Sequence, residues 1–143
     1  MGREELRKKV LCLCKGGVCR SVTLAALLKY WWPGNMDVLA ASLEKNSAST
    51  LDMLYKWADT IVVADESLLL EVPTEYAGQQ LLLANLGEDR WGMSMHPDLI
   101  PVAWAELRRL FGPPKGEATL EKVFQKSEKY VRRREAYGDR SVG

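Results

Sequence analysis

Four short apolar runs alternate along the chain with segments in which apolar residues recur every three or four positions. Each run is six or seven residues long, which is typical of strands in a parallel sheet buried on both faces. We predict strands at 9–14, 37–42, 60–65 and 80–86. The segments with helical spacing fall between these runs and after the last of them. We predict helices at 20–32, 47–57, 68–72, 98–111 and 117–135.

This alternation predicts an α/β fold with right-handed crossover connections. The four strands fit a parallel sheet in the order 2-1-3-4, with helices on both faces, in a single three-layer domain. A sheet of this kind reverses its winding direction at strand one, and ligands bind there, beyond the carboxyl ends of the strands. Cys14 ends the first predicted strand and is therefore expected at the ligand site.

Length and composition are those of one soluble globular domain. The 143 residues contain no repeat and no dividing linker, so we expect one core over about 9–135 and a disordered tail at 136–143. A net charge of +1 gives no support for nucleic acid as a partner, and no apolar run approaches the roughly 20 residues that span a membrane. All three cysteines fall within the first twenty residues, unlike a secreted disulfide framework, so we expect a cytoplasmic protein. The sequence predicts no oligomeric state.

The segment between the first strand and the first helix carries the candidate chemistry. It reads Cys14-Lys15-Gly16-Gly17-Val18-Cys19-Arg20-Ser21. A glycine-bearing loop that enters a helix N-terminus binds anions, because its N–H groups converge and the helix adds roughly half a positive charge. These groups and Arg20 would favour the thiolate of Cys14, and Arg20 would hold two oxygens of a tetrahedral anion. A thiolate beneath a bound phosphoryl group is a nucleophile for phosphorus.

This C-x5-R-S segment resembles the loop of the low-molecular-weight protein tyrosine phosphatases, which reads Val-Cys-x-Gly-Asn-x-Cys-Arg-Ser. Gly17 stands at the Asn position, where a left-handed backbone is usual and Gly adopts it without strain. The resemblance extends over most of residues 9–111. It implies a phosphomonoester hydrolase that works through a phosphocysteine on Cys14, without metal or cofactor. The substrate would be a phosphorylated protein or a small aryl phosphate.

The resemblance also implies which loop residues bind the phosphoryl group. They are Lys15, Gly16, Gly17, Val18, Cys19, Arg20 and Ser21. Ser21 would donate a hydrogen bond to the sulfur of Cys14, although a Ser at this place is also a good helix cap. Cys19 is either a packed residue under the loop or a thiol that captures oxidised Cys14 as a disulfide.

Displacement of an alkoxide or phenoxide from phosphorus also needs a proton donor, usually Asp or Glu. In the resembled family the donor belongs to an Asp-Pro-Tyr-Gly segment after strand four, and Asp89-Arg90-Trp91-Gly92 takes that place here without the Pro. Asp89 is therefore the candidate acid. Asp98 is the alternative, although Pro97-Asp98 also fits the start of a helix with an acidic first turn.

Two further residues have a functional and a structural interpretation. Trp91 would line the mouth of the pocket, or it would pack on the core. Asp65 begins an Asp-Glu-Ser segment similar to one after strand three of the resembled family, and it would either brace the loop or form a turn. The stretch 43–56 lacks the longer, aromatic-bearing segment of that family, so the substrate preference stays open.

Two other functions are compatible with the loop. A non-catalytic phosphate- or phosphopeptide-binding module would need the anion loop but no acid. An arsenate reductase on the same fold would need further cysteines downstream, and none follows Cys19.

Overall fold

The computed structural model describes residues 8–16, 19–32, 34–73, 79–88, 90–116 and 119–126. Its sheet has four parallel strands in the predicted order, β2-β1-β3-β4. The strands are β1 (Lys8–Cys14), β2 (Met36–Ser42), β3 (Thr60–Val63) and β4 (Gln80–Leu83). The helices are α1 (Cys19–Trp31), α2 (Ala48–Trp57), a 3₁₀ helix at Glu66–Leu70, α3 (Leu99–Phe111) and a helix at 120–126. The predicted α/β domain with a parallel 2-1-3-4 sheet is confirmed.

β1 lies at the centre of the sheet because both of its edges are paired. Val10 stands opposite Val38 of β2 on one side and Thr60 of β3 on the other. Residues 10–14 are all fully buried, which explains why this strand is a continuous apolar run. The residue that ends β1, Cys14, is thereby fixed at the carboxyl edge of the sheet.

Helices α1 and α3 pack against each other through aromatic side chains. The rings of Trp32, just after α1, and Trp104 in α3 meet edge to face with centroids 4.9 Å apart. The indole nitrogen of Trp32 donates to the carbonyl of Gly112 at 2.9 Å. The right-handed crossover rule predicts α1 and α2 on opposite faces of the sheet, because the chain moves from β1 to β2 in one direction and from β2 to β3 in the other.

Local side-chain contacts explain where several elements begin and end. α2 starts after Ser47, whose hydroxyl accepts a hydrogen bond from the Thr50 backbone at 3.2 Å. β3 and β4 stop at residues 63 and 83, short of the predicted 65 and 86. After β3, the Asp65 carboxylate accepts from the Ser67 backbone at 2.9 Å and starts the 3₁₀ helix at Glu66, two residues before the predicted helix. The predicted helical residues 127–135 and the tail 136–143 lie outside the described residues.

No helix in the described part of the chain combines the length and the apolar character needed to cross a membrane.

Candidate functional site

The carboxyl end of β1 and the start of α1 bring Cys14 and Ser21 together. The sulfur of Cys14 lies 3.1 Å from the hydroxyl oxygen of Ser21, and both side chains are fully buried. As a thiol, Cys14 donates to this hydroxyl. As a thiolate it would accept a hydrogen bond from the Ser21 hydroxyl, an interaction that stabilises negative charge on sulfur. The predicted residues Gly17 and Val18 lie outside the described residues.

Arg20 is held in place by two acceptors on neighbouring strand ends. Its Nη1 donates to a carboxylate oxygen of Asp65 at 2.6 Å and to the carbonyl oxygen of Gly87 at 2.6 Å. The residue is only 2% exposed, yet its Nε has no hydrogen-bond partner among the described residues. A buried guanidinium nitrogen without an acceptor is uncommon, because desolvating such a group without a partner is costly. Nε is therefore a buried donor that lacks an acceptor within the described part of the protein.

Asp65 connects the turn after β3 to Arg20. Besides pairing with Arg20, its carboxylate accepts from the backbone and the hydroxyl of Ser67. Burial by itself would raise the pKa of Asp65, but the hydrogen bonds from Ser67 and Arg20 outweigh it and lower the pKa below its ordinary value. The carboxylate is therefore ionised at neutral pH and fixes the orientation of the guanidinium.

Ser42 anchors the first residues of the loop to β2. It stands opposite Cys14 in the strand register and is fully buried. Its single hydroxyl hydrogen is shared between the carbonyl oxygens of Lys15 and Gly16, which lie at 2.8 and 3.1 Å from Oγ. The next two residues add backbone bonds, from Leu43 to Cys14 at 3.0 Å and from Glu44 to Lys15 at 2.9 Å. Sequence reasoning missed Ser42, although a polar residue at the end of the strand beside Cys14 was the available signal.

Thr23 in α1 similarly anchors the segment after β4. Its hydroxyl donates to the carbonyl of Cys19 at 2.6 Å and accepts from the backbone N–H of Met95 at 2.8 Å. Met95 has a positive φ of 57°, a conformation that non-glycine residues rarely adopt. Thr23 was not singled out from the sequence, since a buried threonine in a helix is ordinarily a packing residue.

A pocket of about 640 Å³ opens beside Arg20 at the carboxyl edge of the sheet. Its wall includes Gly16, Arg20, Asp65, Ser67, Gly87 and Glu88. Lys15 and Glu44 also line it, so the pocket receives side chains from the loop and from the segments after β2, β3 and β4. Cys14 is fully buried and is not among the lining residues.

The candidate acids and Trp91 occupy different places around this pocket. Asp89 lies outside the described residues, while its neighbour Glu88 lines the pocket. Asp98 stands before α3 with a side chain 82% exposed, and it is not a lining residue. Trp91 is 8% exposed, belongs to the core and packs near His96 at a ring distance of 6.0 Å. Trp91 is thus a buried residue of the core and is not among the residues that line the pocket.

The other two cysteines differ from each other in burial. Cys12 is fully buried, and burial, with a smaller effect of nearby Cys14, raises the pKa of Cys12 to about 12. It therefore stays a neutral core thiol at physiological pH. Cys19 begins α1 and is partly buried. Within the described ranges, no group of three or more His, Cys, Asp or Glu side chains is arranged to hold a metal ion.

Comparison with known proteins finds no family model that matches the chain and no match among curated proteins. The resemblance to low-molecular-weight phosphatases therefore depends on the loop motif and its neighbouring segments.

Proposed function

We propose that this protein is a phosphomonoester hydrolase that forms a phosphocysteine on Cys14, with phosphotyrosine or another aryl phosphate as substrate. The proposal is carried by two features that occur together. The Cys14 sulfur lies 3.1 Å from the Ser21 hydroxyl, and Arg20 is buried with an Nε that has no hydrogen-bond partner among the described residues. The first supplies a nucleophile with a stabilising donor, and the second supplies a donor for the anion. Both lie where a sheet with this strand order binds ligands.

The reaction consists of two in-line displacements at phosphorus. The Cys14 sulfur forms a bond to phosphorus while the bond to the leaving oxygen breaks, and Asp89 gives that oxygen a proton. Water then attacks phosphorus, Asp89 takes its proton, and the sulfur leaves as a thiolate that accepts from the Ser21 hydroxyl. Arg20 donates hydrogen bonds to the equatorial oxygens of phosphorus in both steps. The guanidinium does not need to be reoriented, because Asp65 and the carbonyl of Gly87 already hold its Nη1.

Asp89→Ala is expected to lower kcat by on the order of 10²–10⁴ for substrates with poor leaving groups. The loss should be smaller for para-nitrophenyl phosphate, because para-nitrophenoxide departs with little protonation. Steady-state rates over a series of aryl phosphates measure this dependence on the leaving group. Asp98→Ala is the matched control and should behave as the wild type, since its carboxylate lies outside the pocket. If the Asp98 variant shows the leaving-group dependence instead, Asp89 is not the acid.

Ser42→Ala should weaken phosphate binding, because the carbonyls of Lys15 and Gly16 lose the hydroxyl that fixes them. We expect a loss of about 1–2 kcal/mol in the free energy of unfolding and a severalfold rise in the Kd for inorganic phosphate. Ser47→Ala removes the cap of α2 at a similar cost of about 1 kcal/mol and leaves the loop untouched. Unfolding curves and calorimetry on both variants separate the effects. Equal phosphate affinity in the two variants would show that Ser42 does not position the loop.

One observation favours a second function, a non-catalytic phosphate-binding module. Cys14 is fully buried, so an anion could contact Arg20 and the loop without meeting the sulfur. Turnover of para-nitrophenyl phosphate by the purified wild type distinguishes the two functions. Phosphate binding without turnover would support the module.

A further inference from the structure

The mouth of the pocket is strongly acidic. Three glutamates line it, one from each of the segments after β2, β3 and β4: Glu44, Glu66 and Glu88. All three are exposed, and none forms an ion pair with another described residue. We call these three residues the acidic rim. Lys15 is the single exposed cation among the described residues that line the pocket.

The same pocket is lined by a buried guanidinium. Arg20 lines it and is 2% exposed, and its buried Nε has no partner in the described part of the chain. The charge of Arg20 is already balanced by Asp65, so Arg20 does not neutralise the rim. The described lining residues thus carry four carboxylates, those of Asp65 and the rim, against two cations. Beside the Arg20–Asp65 pair, the described wall therefore has three carboxylates and one lysine, a balance that repels further negative charge.

This arrangement distinguishes substrates by the charge beside their phosphoryl group. An acidic sequence around a phosphotyrosine would bring like charges together at the mouth, which is unfavourable. Lysine or arginine side chains beside the phosphotyrosine would instead contact the rim and offset its repulsion of the phosphoryl dianion. We propose that the acidic rim makes the pocket selective for phosphotyrosine segments flanked by basic residues. The inference rests on the proposed function in one respect, that the pocket receives a phosphoryl group.

Binding to a non-hydrolysing variant tests this selectivity directly. Full-length Cys14→Ser protein is titrated into three fluorescent phosphotyrosine peptides of equal length, with lysine, glutamine or glutamate flanks, in a buffer with a metal chelator. We expect the lysine peptide to bind on the order of tenfold more tightly than the glutamine peptide, and the glutamate peptide to bind most weakly. The differences should shrink as salt is raised, because screening acts on exposed charges.

Substitutions in the acidic rim test whether its glutamates cause the preference for the lysine peptide. Glu44→Gln with Glu66→Gln should reduce the preference for the lysine peptide to about twofold or less, since two of the three carboxylates are removed. Glu121→Gln removes an exposed glutamate from the helix at 120–126, away from the pocket, and should leave the preference unchanged. Equal affinity for the three peptides, or a preference that survives the double substitution, overturns the proposal.

The peptide-binding test and the test of hydrolysis can succeed or fail independently of each other. Para-nitrophenyl phosphate has no flanking charge, so its turnover by the wild type tests hydrolysis alone. Turnover without discrimination among the peptides would overturn only the role of the rim. Selective binding without turnover would overturn hydrolysis and support the rim.

Discussion

Cys14→Ser is expected to abolish turnover of para-nitrophenyl phosphate, with kcat reduced by on the order of 10⁴ or more. A serine hydroxyl is a far weaker nucleophile than a thiolate at neutral pH and leaves phosphorus less readily. The substitution nearly conserves side-chain volume, and the new hydroxyl can hydrogen-bond Ser21 across the 3.1 Å contact. Phosphate and vanadate binding should therefore persist, as measured by calorimetry beside the loss of rate.

Cys12→Ser is the matched control for this experiment. It makes the same chemical change two positions earlier on β1, in a fully buried core thiol. It should reduce stability by about 1–3 kcal/mol, because a hydroxyl is buried, while kcat per folded molecule is unchanged. Full activity in Cys14→Ser, or equal loss in both variants, would contradict a nucleophilic role for Cys14.

Arg20→Lys is expected to lower kcat/KM for para-nitrophenyl phosphate by on the order of 10²–10³. The guanidinium uses Nη1 to bond Asp65 and Gly87 and keeps Nε for the anion. A lysine has one nitrogen, which cannot occupy both positions, and its ammonium would remain with the Asp65 carboxylate. Arg20→Lys should therefore lose activity although it keeps the positive charge.

Arg109→Lys provides the comparison for Arg20→Lys. Arg109 lies on α3, is exposed, and bonds Glu106 and the carbonyl of Leu83 at 2.8 and 2.6 Å. It is absent from the pocket wall, so the same substitution should leave kcat/KM within about twofold of the wild type. If Arg20→Lys is as active as Arg109→Lys, the planar guanidinium is not needed.

The sheet could be predicted from the sequence because its strands carry a local signal. Residues 10–14 are apolar at every position, as a strand with two neighbours and two covered faces must be. The strand ends were less accurate. Backbone bonds such as Ala84 to Val63 at 2.9 Å continue the pairing past the strands, while Asp65 starts a 3₁₀ helix that apolar periodicity does not indicate.

Most of the site could be predicted only where its residues are close in sequence, although Asp65, which bonds Arg20 from 45 positions away, was named through the resemblance. Cys14, Arg20 and Ser21 belong to one motif, and the structure brings Cys14 and Ser21 together. The strand register places Ser42 beside Cys14, and the path of the chain after β4 brings the Gly87 carbonyl to Arg20. A single sequence does not reveal such contacts, since each residue looks ordinary in its own segment.

Trp91 illustrates the same limit. An aromatic residue in a loop beside a candidate acid fits a pocket wall and a core contact equally well. The outcome depends on how the segment after β4 folds back, which the bond from Met95 to the Thr23 hydroxyl constrains. In that path Trp91 is directed into the core, 8% exposed.

Identification of a covalent intermediate is the most direct test of the proposed hydrolysis. The Asp89→Ala variant is mixed with para-nitrophenyl phosphate, whose leaving group needs little protonation, and is quenched in acid before peptide mapping by mass spectrometry. Slow hydrolysis of the intermediate should let it accumulate, so we predict a burst of para-nitrophenol and one phosphoryl group on the peptide that contains Cys14. The phosphoryl group should be absent from Cys14→Ser protein treated in the same way. Turnover with no phosphorylated peptide, or a phosphoryl group on any residue other than Cys14, would contradict the mechanism.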